Sequence, residues 1–280
     1  MSLIFSELEN EKKKVSKSGQ GDTVEWVNHF ECYDKVYKSK VFTFTPDNYF
    51  AVQSDEIIKG GTGYQMYNDL FCDNTEPDYS LYPQYPHAYG FLTRGCIRHC
   101  AWCIVPKKEG GIRAYRDIET ILQGRKTAIL MDNNVLACEH GLQQLEKIID
   151  LGCKVDFNQG LDSRLVTNEI ANILSKIKWL RYIRFACDTT LAVEPLLKTI
   201  EKLNRHGVKN YRIFVYLLVK DISDANERCK ILKKTGVIPF AQPYRDFENN
   251  IQPTAEQKRF ARYVNHKAVF NATEWEGYSR

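Results

Sequence analysis

From Tyr89 onward, short apolar runs alternate with stretches whose apolar positions recur every three or four residues. The runs YGFLTR (89–94), TAILMD (127–132), KVDFN (154–158), YIRFAC (182–187), YRIFVYLLV (211–219) and VIPFAQP (237–243) have the length and β-branched or aromatic content of strands. Between them, helices are predicted over 117–124, 141–150, 166–178, 194–206 and 224–235. Leu142, Leu145, Ile148 and Ile149 carry the spacing in the second, and Gly207 and Gly236 stop the last two. Sequential βα units of this kind build a parallel sheet with right-handed crossovers. No glycine-rich phosphate loop follows the first strand. The expected fold is therefore α/β, a curled partial (β/α)6 TIM-like barrel, and functional residues should collect at the C-terminal strand ends.

The flanks read differently. VYKSKVFTFT (36–45) alternates like a strand, and DEIIKGGTGY (55–64) is a short apolar run ending in Gly60, Gly61 and Gly63. Residues 73–86 carry Pro77, Pro83 and Pro86 and predict an extended linker. The expected domains are a small N-terminal α/β extension with linker over 1–85, the partial barrel over 86–250, and a C-terminal helical segment over 251–280. Lys12, Lys13, Lys14 and Lys17 read as a solvated loop. The last segment mixes Lys258, Arg259, Arg262 and Lys267 with Phe260, Tyr263, Phe270 and Trp275. A helix packed on the barrel with its aromatics inside explains them; a stacking and phosphate-binding surface is the other reading. His266 is either an acid or base at the cavity mouth or an ordinary helix residue.

Composition narrows the function classes. With 43% hydrophobic and 26% charged residues, the chain of 280 residues is globular in type. No run approaches the ~18 apolar residues of a membrane helix. The first residues are charged where a secretory signal is apolar, so a cytoplasmic protein is expected. A net charge of +4 permits an anionic partner without requiring one. Nine cysteines are present, and Cys96, Cys100 and Cys103 crowd into one short stretch, as metal ligands do in a reducing compartment.

Those three have the spacing C-x3-C-x2-C directly after the first predicted strand, with Gly95 at the turn out of it. Three thiolates on a tight loop can bind three irons of a cubane and leave the fourth open. A structural zinc site is the competing reading, but it needs four ligands, usually in two pairs. No second C-x2-C exists, and His99 between two of the cysteines is poorly placed.

The motif, with the aromatic Trp102 before its last cysteine, resembles the radical S-adenosylmethionine superfamily over roughly residues 89–245. The resemblance implies a partial (β/α)6 barrel, a [4Fe–4S] cluster on Cys96, Cys100 and Cys103, and S-adenosylmethionine as cofactor. It further implies an electron donor such as flavodoxin or ferredoxin, and a 5′-deoxyadenosyl radical that abstracts hydrogen from a substrate. Where many relatives carry a Gly-Gly-Glu motif for the amino group of S-adenosylmethionine, this chain has Asp132, Asn133 and Asn134; either Asp132 or the two asparagines supply equivalent acceptors, or the three form an Asp/Asn turn that caps the next helix. Asn158 and Gln159 end the third strand, and Arg164 follows, either to meet a carboxylate or to pair with Asp162. Asp188 ends the fourth strand as a cofactor contact or helix cap. Arg212 and Tyr216 are placed on one face of the fifth, Arg212 facing the methionyl carboxylate, and Gln242 is a contact from the sixth, with Tyr244 and Arg245 beyond it. Cys138, Cys153, Cys187 and Cys229 stand singly, as packing cysteines do; Cys187, near a strand end, is the candidate reactive thiol.

The N-terminal region resembles a shortened remnant of the α/β domain of cobalamin-dependent relatives, without an Asp-x-His-x-x-Gly motif. CIVPKKEGGIR resembles the matching stretch of radical methylthiotransferases, yet only Cys32 and Cys72 precede the motif, where those enzymes have three cysteines. The expected substrate is of nucleotide or RNA type, or a peptide or small metabolite. The second reading of the whole chain is a non-catalytic, metal-stabilised nucleic-acid-binding module.

Overall fold

The computed structural model describes residues 12–17, 20–27, 30–40, 42–47, 52–65, 76–81, 83–246 and 248–279. The chain divides into two compact units, residues 1–85 and 86–280. Cys72, residues 73–75 and 82 of the expected linker, and the first eleven residues lie outside the described residues.

The first unit is a four-stranded sheet. Its strands are β1 (Lys12–Lys17), β2 (Gln20–Trp26), β3 (Cys32–Ser39) and β4 (Gln53–Gly60), in the order β2-β1-β3-β4. Strands β1 and β2, and β1 and β3, are antiparallel, while β3 and β4 are parallel. In β3, Tyr33 and Val36 are buried; three residues apart, they stand on opposite faces of the strand. Two expectations change here. The lysine run is part of β1 rather than a loop. The strand read over 36–45 starts earlier and stops at Ser39, because the chain turns at Thr45 and Phe42 and Phe44 stack on each other outside the sheet. Among its described residues this unit has a 3-10 turn at Tyr79–Leu81 and no α-helix, so the α/β character expected of it is not seen there.

The second unit holds the six strands read from the sequence. They are β5 (Ala88–Gly90), β8 (Thr127–Leu130), β9 (Lys154–Phe157), β11 (Ile183–Ala186), β12 (Ile213–Val219) and β13 (Ile238–Pro243). The strand read over 89–94 divides into β5 and β6 (Thr93–Arg94), and two short strands were not expected: β7 (Arg113–Ala114), which pairs with β6 as an antiparallel ribbon, and β10 (Lys178–Trp179), parallel to β9. The α-helices are α1 (Val105–Lys108), α2 (Ile118–Leu122), α3 (Glu139–Leu151), α4 (Asn168–Lys176), α5 (Val193–Arg205), α6 (Ile222–Thr235), α7 (Ala255–Asn265) and α8 (Lys267–Ala272). Local chemistry sets the helix ends. Asp117, Thr167 and Asp221 accept from backbone N–H groups of the first turns of α2, α4 and α6. Thr254 and Gln257 form a reciprocal capping box on α7.

The major strands run in parallel as two sheets, β10-β9-β8-β5 and β11-β12-β13. The sheets meet at one seam, where the Leu161 amide donates to Arg184 O at 2.7 Å and Leu161 bridges Phe185 in parallel sense. Spatial order thus follows chain order from β5 to β13. Among the described residues no pairing joins β13 back to β5, so the array is an open parallel α/β sheet rather than a closed barrel.

Register separates the two faces of the array. Leu130, Val155, Phe185, Val215 and Leu217 are fully buried on one face. Ala186, Tyr216 and Phe240, mutual partners in the ladders, lie half-buried on the other. The apolar face anchors the helices; the half-open face leads up to the C-terminal strand ends.

The C-terminal segment belongs to the same unit. Asn265 of α7 grips the edge of β13 with a reciprocal pair of hydrogen bonds to Ala241, at 2.7 and 2.9 Å. Phe260, Tyr263, Phe270 and Tyr278 are buried, and Trp275 packs among them. Arg259 stacks on Trp275 and donates to Tyr278 O. The aromatics therefore form a core and no open stacking surface. His266 accepts from the Val269 amide and caps α8, which makes it a structural helix residue.

Candidate functional site

The cysteine loop leaves the C-terminal end of β5 and returns through β7, so the β6–β7 ribbon clamps its base. Gly95 sits at φ +81°, where a Cβ would lie 2.2 Å from Gly111 O; only glycine fits this exit. The Cys96 amide donates to Gly110 O at 3.2 Å and the Cys103 amide to Cys100 O at 3.0 Å. All three thiols are half-buried. Burial pushes the Cys100 and Cys103 thiols up. Arg164 counters this at Cys100 and the Val105 amide at Cys103, while the neighbouring thiols add to it. Trp102 is half-buried and His99 is exposed.

The residues that end β8 and β9 reach this loop. Asn134 is buried, and its amide nitrogen lies 3.4 Å from Cys96 Sγ and 3.4 Å from Asp162 Oδ2. Its carbonyl oxygen is buried with no partner in the structure. Asn133 donates to Glu109 Oε2 at 3.0 Å. The same oxygen accepts from the Gly95 amide at 2.9 Å and pairs with Arg94 at 3.0 Å. Asp162 accepts from Arg98 Nε at 2.9 Å and from Arg164 Nε and Nη2 at 2.6 and 3.0 Å. Burial alone would raise the Asp162 carboxyl, but the two arginines outweigh it and hold it below the usual carboxylate range. Thus Asp162 and Arg164 do form the local pair, and it stands beside the cysteines, since Arg164 feels both Cys100 and Cys96.

Asp188 faces the same region from β11. It is not a helix cap, since its carboxylate crosses to the Leu218 amide of β12 at 3.1 Å. Burial pushes it up against that hydrogen bond. Asn158 and Tyr216 meet lower on the half-open face: the Tyr216 hydroxyl donates to Asn158 O at 2.8 Å, and Asn158 Oδ1 is buried without a partner. Gln159 and Gln242 are exposed at the ends of β9 and on β13.

Three expected residues are placed otherwise. Asp132 turns away from the cysteines; it accepts from the Leu92 and Thr93 amides and from Thr93 Oγ1, and so holds the segment that enters the loop. Burial pushes its carboxyl up to about 6 against those bonds. Arg212 lies in a 3-10 turn before β12, at the N-terminal end of a strand whose first residue pairs with Ile183. In a parallel array that is the end opposite the cysteine loop, so Arg212 does not join this group. Cys187 is fully buried with its thiol raised to about 12 by burial, which makes it a packing cysteine.

Three residues of this region were not singled out by sequence: Glu109, Arg98 and Arg184. Arg184, 1% exposed, forks onto Asp156 at 2.6 and 2.7 Å and donates to the Tyr216 hydroxyl at 3.2 Å. Its signal was a charged residue inside an apolar strand.

Among the described residues, no three His, Cys, Asp or Glu side chains form a group that could hold one metal ion. A cubane asks for a different arrangement, because each thiolate meets a different iron. The donor set suits it: three thiols on one loop, and the partnerless carbonyl oxygen of Asn134, whose amide nitrogen lies 3.4 Å from Cys96 Sγ. Among the described residues no helix is long and apolar enough to cross a membrane.

No protein-family model matches the chain, and no curated protein matches it. Part of the chain is similar to solved structures of SuiB from Streptococcus suis. One shares 12% identity with a TM-score of 0.49, covering 66% of this chain and 47% of SuiB. SuiB bound to S-adenosylmethionine shares 13% with a TM-score of 0.49, over 66% of this chain and 48% of that one. SuiB bound to its precursor peptide SuiA shares 14%, over 65% and 46%. The chain spans less than half the length of these structures.

Proposed function

We propose that this chain is a radical S-adenosylmethionine enzyme with a [4Fe–4S] cluster on Cys96, Cys100 and Cys103. One observation carries the reading: three thiols on a single braced loop at the C-terminal end of the first parallel strand, ringed by polar ends of the next strands. When bound, the cluster would pass an electron to S-adenosylmethionine at its open iron and yield a 5′-deoxyadenosyl radical for hydrogen abstraction. An external one-electron donor of the flavodoxin or ferredoxin class would supply that electron.

The chain's own residues bind and orient. Asn134 offers its partnerless carbonyl oxygen, and Asp188 its second carboxylate oxygen, to the ammonium group of S-adenosylmethionine. Asn158 and Tyr216 shape the wall below, and the exposed Gln159 and Gln242 face the substrate side. The buried aromatic core of the C-terminal segment weighs against the nucleic-acid-binding module, which required those rings on the surface.

Anaerobic reconstitution tests the reading. The expected product is a brown protein with about four irons and four sulfides per chain, which under dithionite cleaves S-adenosylmethionine to 5′-deoxyadenosine and methionine. Cys100→Ala should abolish both cluster and cleavage. Stoichiometric zinc with no cleavage would overturn the proposal.

A further inference from the structure

The cysteine loop is held by two acidic side chains, one on each flank, and each is reached by one of two consecutive asparagines. Asn133 donates to Glu109, which also takes the Gly95 amide at the loop's entry and the Arg94 side chain. Asn134 points to Asp162, which also takes Arg98 from inside the motif and Arg164 from the end of β9. Both carboxylates are largely shielded, with side chains 11% and 7% exposed. The brace therefore ties the loop to the ends of β8 and β9 through charge-assisted hydrogen bonds, which are the strong ones.

We infer that Glu109 and Asp162 are positioning residues, which fix the shape of the cysteine loop through Asn133 and Asn134 before any metal arrives. The inference rests on the reading of Cys96, Cys100 and Cys103 as cluster ligands only for what the shape is for. The geometry that fixes it is a property of the chain. Two consequences follow. A loop already folded loses less conformational freedom when three thiolates must be presented together. Asp162 also holds the Arg164 guanidinium beside Cys96 and Cys100, where a fixed positive charge favours the more negative, reduced state of an anionic cluster.

Hydrogen exchange of the full-length, metal-free protein tests the first consequence. Asp162→Ala and Glu109→Gln should each speed exchange at the Cys96 and Cys103 amides about tenfold or more, while the core of β12 stays protected. Where Asp162→Ala fails to fold, the isosteric Asp162→Asn serves for the same reading. Unchanged exchange in the loop overturns the inference whether or not the protein binds iron. In the reconstituted protein, a chelator should strip iron from Asp162→Ala about tenfold faster than from the wild type. Arg164→Gln should make the reduction potential more negative, and Arg164→Lys should restore it. Wild-type iron retention in both carboxylate variants overturns the inference and leaves the proposed function standing. Failure of the wild type to take up iron overturns the proposed function and leaves the exchange result to decide the brace.

Discussion

Two arginine–carboxylate forks stand six residues apart along one stretch of chain, and they do different things. On β9, Asp156 takes Arg184 at 2.6 and 2.7 Å. Just beyond β9, Asp162 takes Arg164 at 2.6 and 3.0 Å. The bonding is nearly the same; the surroundings are not. The Arg184 side chain is 1% exposed and lies over the Phe214 ring, while the Arg164 side chain is 42% exposed. Burial decides what an ion pair is for. The inner fork joins β9 to β11 and belongs to the fold. The outer fork has one face in solvent, so it contributes little to stability, and its carboxylate is the one that Arg98 of the cysteine loop meets.

The sharpest test breaks the inner fork from one side. Asp156→Asn leaves a buried guanidinium without its countercharge, and should cost about 3–5 kcal/mol in urea denaturation of the metal-free chain. Replacing both partners by apolar residues, as in Asp156→Leu with Arg184→Met, should cost much less, because no charge is then stranded. A double variant as unstable as the single one would mean that the fork holds the seam through its hydrogen bonds rather than merely tolerating its charges.

Asp132 sharpens the comparison from a third side, since it is buried like the inner fork but pairs with no cation among the described residues. Its partners are the Leu92 and Thr93 amides and the Thr93 hydroxyl. Burial prevails, and the carboxyl rises from 3.8 to about 6. Asp162, with two guanidinium groups, falls instead. The sign of the pH effect follows. A carboxyl raised on folding carries its burial cost only once ionised, so its contribution is most favourable below its unfolded pKa and declines as pH rises through the folded one. The unfolding free energy of the wild type, relative to Asp132→Asn, should therefore fall by of the order of 2–3 kcal/mol between about pH 4 and pH 7. A flat difference would show that the amide donors, not burial, govern this group.

These residues also mark what was legible in the sequence. The six main strands and the helices between them were readable because each is amphipathic or apolar over its own length. The cysteine spacing was readable because it is local. Arg212 misled because YRIFVYLLV reads as one strand, whereas the ladder begins at Ile213 and the arginine belongs to the turn before it. Arg184 and Asp156 were visible as charges inside apolar strands, but their pairing depends on β9 and β11 being neighbours across a seam. Glu109 carries no local signal at all. It acts through Gly95, fourteen residues earlier, and that contact exists only after the β6–β7 ribbon closes.

The smallest expected effect bears directly on the opening contrast. Arg164→Ala removes the outer fork at a half-exposed site, so solvent replaces most of what is lost, and Arg98 still covers Asp162. The unfolding free energy should change by no more than about 1 kcal/mol. The same substitution in the inner fork, Arg184→Ala, strands a buried carboxylate and should approach the loss seen with Asp156→Asn. Measuring both arginine variants in one denaturant series therefore asks whether exposure, at nearly fixed bonding, separates an ion pair that builds the fold from one that trims a site. If Arg164→Ala proves as costly as Arg184→Ala, the cysteine loop is part of the folding unit rather than a braced appendage of it, and the distinction between the two forks collapses.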